Sequence, residues 1–181
     1  MQDLEITTPA ALWDWLAAHH AQPESIRLIT WKVHHADKYV SREAVLDALL
    51  AHGWIDGRRF VVDDDRTAQL IAPRQQQAWS QSYKDRVARL QAEGRMHPAG
   101  DAAVAAGHAS GLWDFFADVD ALILPPDLAA GINLAKWEAY APSYRRNVLR
   151  WIKLAKTDKT RSKRIMTAIE STDKGEKIPQ M

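Results

Sequence analysis

The sequence of 181 residues contains no cysteine and no long apolar run. Without cysteine the chain cannot form disulfides, thiol nucleophiles, zinc ribbons or iron–sulfur clusters, which agrees with a reducing compartment. No window approaches the roughly 18 consecutive apolar residues of a membrane span. The segment from Met1 to Glu5 is acidic, whereas a secretory signal begins with basic residues. We therefore expect a cytoplasmic protein with no membrane span.

The motifs of common enzyme classes are missing as well. The chain has no G-x-S-x-G nucleophile elbow, no G-x-x-x-x-G-K-[ST] phosphate loop and no G-x-G-x-x-G dinucleotide motif. Its histidines include the adjacent pairs His19-His20 and His34-His35, whereas metal ligands on a helix stand three or four residues apart. We expect no cofactor, no metal site and no catalytic residues, and we favour a binding protein over an enzyme.

The composition, 46% hydrophobic and 26% charged, is that of an ordinary globular protein. Alternating apolar residues predict strands at 25–34, 54–62 and 67–72, the last two forming a hairpin. Capped helical patterns precede and follow the hairpin. The pattern predicts an α+β fold, with a small antiparallel sheet and a hairpin packed by helices, followed by an all-helical C-terminal subdomain. We expect an α+β domain over 1–120 and a helical module with basic helices over 121–181.

The charge is divided unequally along the chain, although the net charge is only +1. Residues 142–181 hold 11 basic and four acidic residues, whereas residues 1–141 hold 13 basic and 19 acidic ones. A basic region of this kind favours an anionic partner, which could be an acidic protein surface, a nucleic acid or a phosphorylated metabolite. The alternative is that the basic region packs against the acidic remainder of the chain.

A helix predicted over 144–155 separates its basic residues from its apolar ones. The apolar face contains Tyr144, Val148, Trp151 and Ala155. The basic residues of this helix and of the following one define a predicted surface for the anionic partner, formed by Arg146, Arg150, Lys153, Arg161 and Arg164.

The hairpin carries the densest group of chemically distinctive residues. On an alternating strand Trp54, Asp56 and Arg58 share one face, and Arg74 ends the partner strand. An indole, a carboxylate and guanidinium groups together could bind an anion or a planar polar ligand. The predicted ligand site consists of Trp54, Asp56, Arg58, Arg74, Trp79 and Ser80.

Three interpretations of the hairpin remain open at this stage. In the first, Arg58 and Arg74 assist the basic C-terminal helices in binding an anionic partner. In the second, the protein is an enzyme in which Asp56 is the acid or base and an arginine clamps an anionic substrate. In the third, an Asp–Arg pair fixes the hairpin and Trp54 belongs to the core.

Several short motifs resemble, in order along the chain, those of the bacterial YdeI/OmpD-associated family. They are Gly53-Trp54-Ile55-Asp56-Gly57, Pro73-Arg74, Trp79-Ser80, Gly94-Arg95-Met96, Ala99-Gly100, Gly111-Leu112-Trp113, Trp151 to Lys156 and Thr160 to Ile165. The sequence departs from the family pattern at Gln75 to Ala78, and Tyr83 stands where the family has asparagine.

The resemblance implies a family connected with bacteriocin protection, association with an outer-membrane porin, and stress or resistance. It also implies that the segment from about Leu128 is the helical OmpD-associated module. It supplies neither an active site nor a cofactor for this chain, and it leaves the oligomeric state undetermined.

Overall fold

The computed structural model describes residues 1–178. It divides into two compact units, Met1–Asp114 and Phe115–Met181. The strands are β1 (Asp3–Glu5), β2 (Ile26–Trp31), β3 (Trp54–Val61) and β4 (Arg66–Pro73). The helices of the N-terminal unit are α1 (Pro9–His19), α2 (Arg42–Ala51), α3 (Gln81–Ala92) and α4 (Pro98–Ala109). Those of the C-terminal unit are α5 (Ala117–Asp120), α6 (Pro126–Ala129), α7 (Leu134–Glu138), α8 (Pro142–Lys153) and α9 (Asp158–Lys174).

The four strands form one mixed sheet in the order β1-β2-β4-β3. The hairpin β3–β4 and the pair β2–β4 are antiparallel, whereas β1 pairs with β2 in parallel. The predicted α+β class is confirmed, but the expectation of an all-antiparallel sheet is wrong at β1. Strand β1 is joined to β2 through α1, and a helical crossover of this kind returns the chain in the same direction.

Local sequence signals set the ends of the helices in the N-terminal unit. The hydroxyl of Thr8 accepts a hydrogen bond from Ala11 N, and Ser41 caps α2 in the same way. Gly53 follows α2 with a φ of +74°, and a Cβ at this position would lie 2.7 Å from the carbonyl oxygen of Ala99. Only glycine fits this tight passage from α2 into β3.

The core of the N-terminal unit consists of two apolar clusters. The first lies between the sheet and the helices α1 and α2, and it contains Leu12, Leu16, Ile26, Leu28, Leu49, Trp54 and Ile71. The second brings together residues of α2, α3 and α4 with one indole, and it contains Leu50, Ala51, Trp79, Val87, Leu90 and Val104. The first cluster buries Trp54 and Ile71 of the hairpin.

The C-terminal unit is helical throughout its described residues. Thr157 caps α9 by accepting a hydrogen bond from Thr160 N. Buried apolar side chains from α5 to α9 form the core of this unit, among them Phe116, Leu128, Trp137, Tyr144, Val148, Ile152 and Ile165. Within residues 1–178 no helix combines the length and the apolar character needed to cross a membrane. The domain boundary predicted after residue 120 stays a prediction.

Candidate functional site

A β-bulge interrupts the hairpin next to Asp56. Asp56 pairs with Ile71 and Arg59 pairs with Gln69, so two residues of β3 lie opposite one residue of β4. The bulge shifts the alternation, and the prediction that Arg58 shares the face of Asp56 is wrong. The Arg58 guanidinium instead lies 5.2 Å from the centre of the Phe60 ring.

Asp56 is held between the hairpin and α3 by two hydrogen bonds. The Tyr83 hydroxyl donates to Asp56 Oδ1, and Gln69 Nε2 donates to Asp56 Oδ2 over 3.1 Å. Burial, followed by the hydrogen bond to Asp56, raises the pKa of Tyr83 to about 12. Tyr83 therefore remains a neutral donor at physiological pH, and this contact braces the hairpin against α3.

Arg74 lies beside this pair and stacks on an indole. Its guanidinium carbon is 3.8 Å from the centre of the Trp79 ring and 5.4 Å from that of Tyr83. Nη1 donates to the Gln77 carbonyl over 3.0 Å, whereas Nε and Nη2 are buried and have no partner among residues 1–178. Burial lowers the pKa of Arg74 to about 10, although the charges of Tyr83 and Asp56 act in the opposite direction.

The remaining residues of the predicted hairpin site lie elsewhere. Trp54 is 0% exposed, and its Nε1 donates to the His20 carbonyl over 3.3 Å, so it belongs to the core. The Ser80 hydroxyl is hydrogen-bonded to that of Ser82 over 3.0 Å. Of the six predicted residues, the structure groups Asp56, Arg74 and Trp79 around Tyr83.

The predicted basic surface of the C-terminal unit is largely occupied by internal contacts. Arg150 and Lys153 face acids of α5, at 3.9 Å from Asp120 and 2.5 Å from Asp118. Arg161 donates to both carboxylate oxygens of Asp127, over 2.7 and 2.8 Å. The other two arginines donate to backbone carbonyls: Arg146 Nε to that of Asp120 over 3.2 Å, and Arg164 Nη1 to that of Trp151. Four of the five predicted cations thus contact aspartates of their own unit.

A cavity of about 470 Å³ lies between the end of α8 and the first turns of α9. Its walls are formed by Trp151, Lys159, Thr160, Lys163, Arg164, Thr167 and Ile178. Three of these side chains are cationic and two are hydroxyls, and none of the described lining residues is acidic. Within residues 1–178 neither Lys159 nor Lys163 forms a salt bridge. The cavity therefore presents uncompensated positive charge beside a half-buried indole.

Comparison with protein families assigns each unit to a different model. A model described as a domain of unknown function (DUF8412) matches residues 4–103, which is more than half of the chain. The chain belongs to this family. A second model, described as "Bacteriocin-protection, YdeI or OmpD-Associated", matches residues 121–175. The predicted resemblance to the YdeI/OmpD-associated family is confirmed there, whereas the motifs from Gly53 to Trp113 lie outside that match. Neither the curated proteins nor the solved structures include a match to the chain.

The two matches divide the candidate residues between them. The DUF8412 region contains the hairpin with Asp56, Arg74 and Tyr83, and the YdeI/OmpD-associated domain contains α9 and all but one of the residues that line the cavity. Sequence reasoning missed Lys159 and Lys163, although their spacing of four residues places them on one side of a helix. It also missed Gln69, whose role depends on the bulge and on the pairing of β3 with β4.

Proposed function

We propose that this protein is a non-enzymatic cytosolic binding protein whose C-terminal unit binds a small phosphorylated ligand. The observation that supports the proposal is the cavity beside α9, whose described lining includes Lys159, Lys163 and Arg164 but no acid. Lysine and arginine side chains in such a site bind phosphate through charge-assisted hydrogen bonds. Of the three anionic partners considered from the sequence, the cavity favours a phosphorylated metabolite.

The size of the cavity supports a small ligand over an extended one. About 470 Å³ lies within the range of about 300 to 1,000 Å³ that is typical of small-molecule sites. Nucleic acids are bound along open positively charged grooves, and acidic proteins across broader surfaces. The cations outside the cavity, such as Lys153 and Arg161, are already engaged by aspartates.

Two further features favour a ligand that is both charged and partly planar. Trp151 provides an apolar wall, and the Arg164 guanidinium lies 5.1 Å from the centre of its ring. The Thr160 hydroxyl accepts a hydrogen bond from the Thr157 hydroxyl over 2.9 Å, so its own proton can be donated to a phosphate oxygen, whereas the Thr167 hydroxyl already donates to the Lys163 carbonyl over 3.0 Å. Lys159 and Lys163 also stand four residues apart, where like charges repel, and a bound anion would relieve this repulsion.

The family description gives a context for the proposed activity. The model matched by the C-terminal unit is described by bacteriocin protection and by association with OmpD. We propose that ligand binding serves a stress or resistance response, in which the protein reports the level of a phosphorylated metabolite in the cytoplasm.

The proposal is tested by calorimetric titration of the full chain with ADP, at low and at physiological salt. The double variant Lys159→Gln/Lys163→Gln should weaken ADP binding at least about tenfold, because it removes two charge-assisted contacts. The matched control Lys156→Gln/Lys174→Gln removes the same charge from exposed positions outside the cavity, and it should leave the affinity within about twofold.

Two outcomes would contradict this function. If both double variants weaken ADP equally, the binding reflects the net charge of the unit and not the cavity. If ADP and inorganic pyrophosphate fail to bind while a DNA duplex or polyglutamate binds, the partner is a macromolecule.

A second candidate function is an enzyme acting at the hairpin. The observation in its favour is Arg74, whose buried Nε and Nη2 have no partner among residues 1–178 and could receive an anionic substrate. Asp56 would be the acid or base, although its two hydrogen bonds favour a bracing role. Asp56→Asn should abolish ligand-induced thermal shifts if the enzyme interpretation is right. Unchanged shifts in a ligand panel would leave Asp56 and Arg74 with a structural role.

A further inference from the structure

Two loops of the N-terminal unit meet at one end of the sheet. One loop follows β2 and the other is the turn between β3 and β4. The backbone N–H of Lys32 donates to the Asp65 carbonyl over 2.8 Å, and its Nζ donates to the carbonyls of Asp63 and Asp64 over 3.1 and 2.7 Å. Within the turn, Asp65 N donates to Asp63 Oδ1 over 2.9 Å. These bonds fix the position of Asp65 relative to the residues after β2.

Two adjacent histidines converge on this aspartate. His34 Nε2 lies 3.1 Å and His35 Nε2 lies 2.8 Å from the same atom, Asp65 Oδ1. The three candidate ligand atoms all lie within 4.8 Å of one another. Adjacent residues diverge on a helix, but His34 lies in a turn, where neighbouring side chains can point to one place. The spacing argument made from the sequence against a metal site therefore does not apply here.

The charges around Asp65 leave its carboxylate without a permanent cationic partner. Within residues 1–178 its only salt-bridge partners are His34 and His35, and no lysine or arginine is among them. The neighbouring Arg66 is already engaged by Asp63 and Glu5.

We propose that His34, His35 and Asp65 form a site for a divalent transition metal, with Zn²⁺ as the expected ion. Two imidazoles and one carboxylate are a donor set that Zn²⁺ accepts, at bond lengths of about 2.0 to 2.2 Å. Tetrahedral bonds of that length separate the ligand atoms by about 3.3 Å. The N–O distances of 3.1 and 2.8 Å need to widen by only about half an ångström.

The surroundings of the three side chains suit a solvent-exposed metal site in which one coordination position is left for an exchangeable ligand. The Trp31 ring packs edge-on against His35, with the ring centres 4.8 Å apart, and this contact restricts the imidazole. The side chains of His34 and Asp65 are 54% and 52% exposed, so the ion can enter from solvent. Three protein ligands leave one tetrahedral position for water or for another ligand.

The test is a calorimetric titration of the untagged, chelator-treated full chain with ZnCl₂ at pH 7.5. His35→Gln and Asp65→Asn should each weaken Zn²⁺ binding by at least about tenfold, as the loss of a metal ligand requires. The control His19→Gln removes an exposed histidine whose imidazole stacks on Trp15, and it should leave the affinity within about twofold.

Nuclear magnetic resonance provides a second readout that does not depend on the variants. Of the seven histidines, two should show shifted imidazole resonances on addition of Zn²⁺. Assignment of these two resonances to His34 and His35 would support the site. The proposal is overturned if Zn²⁺ does not bind at millimolar concentration, if it binds with the same affinity to Asp65→Asn, or if it shifts other histidines instead.

Discussion

The two units of the molecule use their charged residues in different ways. The N-terminal unit has 12 basic and 15 acidic residues, and the C-terminal unit has 12 basic and eight acidic ones. In the N-terminal unit, arginines are gathered around acids, as Arg86 and Arg89 are around Asp47. In the C-terminal unit, aspartates engage Lys153 and Arg161, but among residues 1–178 no carboxylate pairs with the cations of the cavity. Charge pairing therefore favours stability in the first unit, whereas the unpaired cations of the second unit are the ones on which the proposed ligand binding depends.

The difference shows why a count of basic residues does not locate a binding site. The predicted surface and the cavity share only Arg164, although both belong to the same basic segment. An arginine that is already paired with a carboxylate has little remaining attraction for another anion. Under the proposed function, the cations that bind the ligand are those that pair with no carboxylate among the described residues.

The largest expected effect comes from removing the charge of Asp47 in the N-terminal unit. The side chains of Asp47 and Arg86 are only 12% and 14% exposed, so Asp47→Asn leaves a desolvated guanidinium whose remaining counter-ion is the largely exposed Glu43. Burial raises the pKa of Asp47, but the hydrogen bonds from Arg89 and Arg86 outweigh it, and the carboxylate stays charged. We expect urea unfolding to show a loss of about 2 to 3 kcal/mol, less than the roughly 3 to 5 kcal/mol of a fully broken buried pair, because Glu43 still contacts Arg86.

The affinity of the C-terminal unit for ADP should not change in this variant. Asp14→Asn, at an exposed position, is the matched control and should cost less than about 0.5 kcal/mol. An Asp47→Asn protein as stable as the wild type would show that the arginine cluster contributes nothing to the fold. A change in ADP affinity would contradict the separation of roles between the units.

A smaller effect is expected from acidification, again through the N-terminal unit. His52 is 3% exposed and lies against His97, with ring centres 5.0 Å apart, and near His20. Burial lowers the pKa of His52 below its ordinary value of 6.5, although a hydrogen bond to Ala48 opposes the shift. Its contribution to stability is therefore present above pH 6.5 and is lost as the pH falls through the pKa of the folded state.

We expect the free energy of unfolding to fall below pH 6.5 by at most about 1.4 kcal/mol per pH unit for this one proton. Urea titrations between pH 7.5 and 5 measure the slope, and His52→Gln should flatten it. The pKa values of Asp47 and Asp63 lie below the ordinary value of 3.8, so these carboxylates do not titrate between pH 7.5 and 5. An equal slope in the wild type and in His52→Gln would assign the pH dependence to other groups.

Local patterns in the sequence predicted those parts of the fold that depend on neighbouring residues. The hairpin and the helices α2, α4 and α9 follow from alternation, hydroxyl caps and glycine stops, and the structure contains each of them. Strand β1 has only three residues and is defined by its pairing with β2, so the local sequence pattern does not predict it. The bulge at Asp56 likewise depends on the register of β3 against β4. Because of the bulge, the Arg58 side chain does not lie on the same face of the hairpin as Asp56.

The candidate sites were harder to predict because they depend on tertiary contacts. The sequence prediction placed Asp56, Arg74 and Trp79 in one group, but it did not include Tyr83, whose contacts with Asp56 and Arg74 depend on the position of α3. The spacing of Lys159 and Lys163 is visible in the sequence, but the cavity exists only where Trp151 and Ile178 form its walls. The sequence argument rejected His34 and His35 as metal ligands because adjacent residues on a helix point in different directions. In the structure His34 lies in a turn, and both imidazoles contact Asp65.

The smallest effect on stability is expected for Arg161→Gln, which compares a paired cation with an unpaired one inside the C-terminal unit. The side chains of Arg161 and Asp127 are 32% and 46% exposed, so the loss of their ion pair should lower the free energy of unfolding by about 0.5 kcal/mol or less. Arg161 and Lys163 stand two residues apart, about 200° around the helix, and only Lys163 lines the cavity. The single variant Lys163→Gln should weaken ADP binding several-fold, and Arg161→Gln, with the same charge change, should leave it within twofold. Equal losses in the two variants would mean that ADP responds to the charge of α9 as a whole, and the distinction between paired and unpaired cations would then fail.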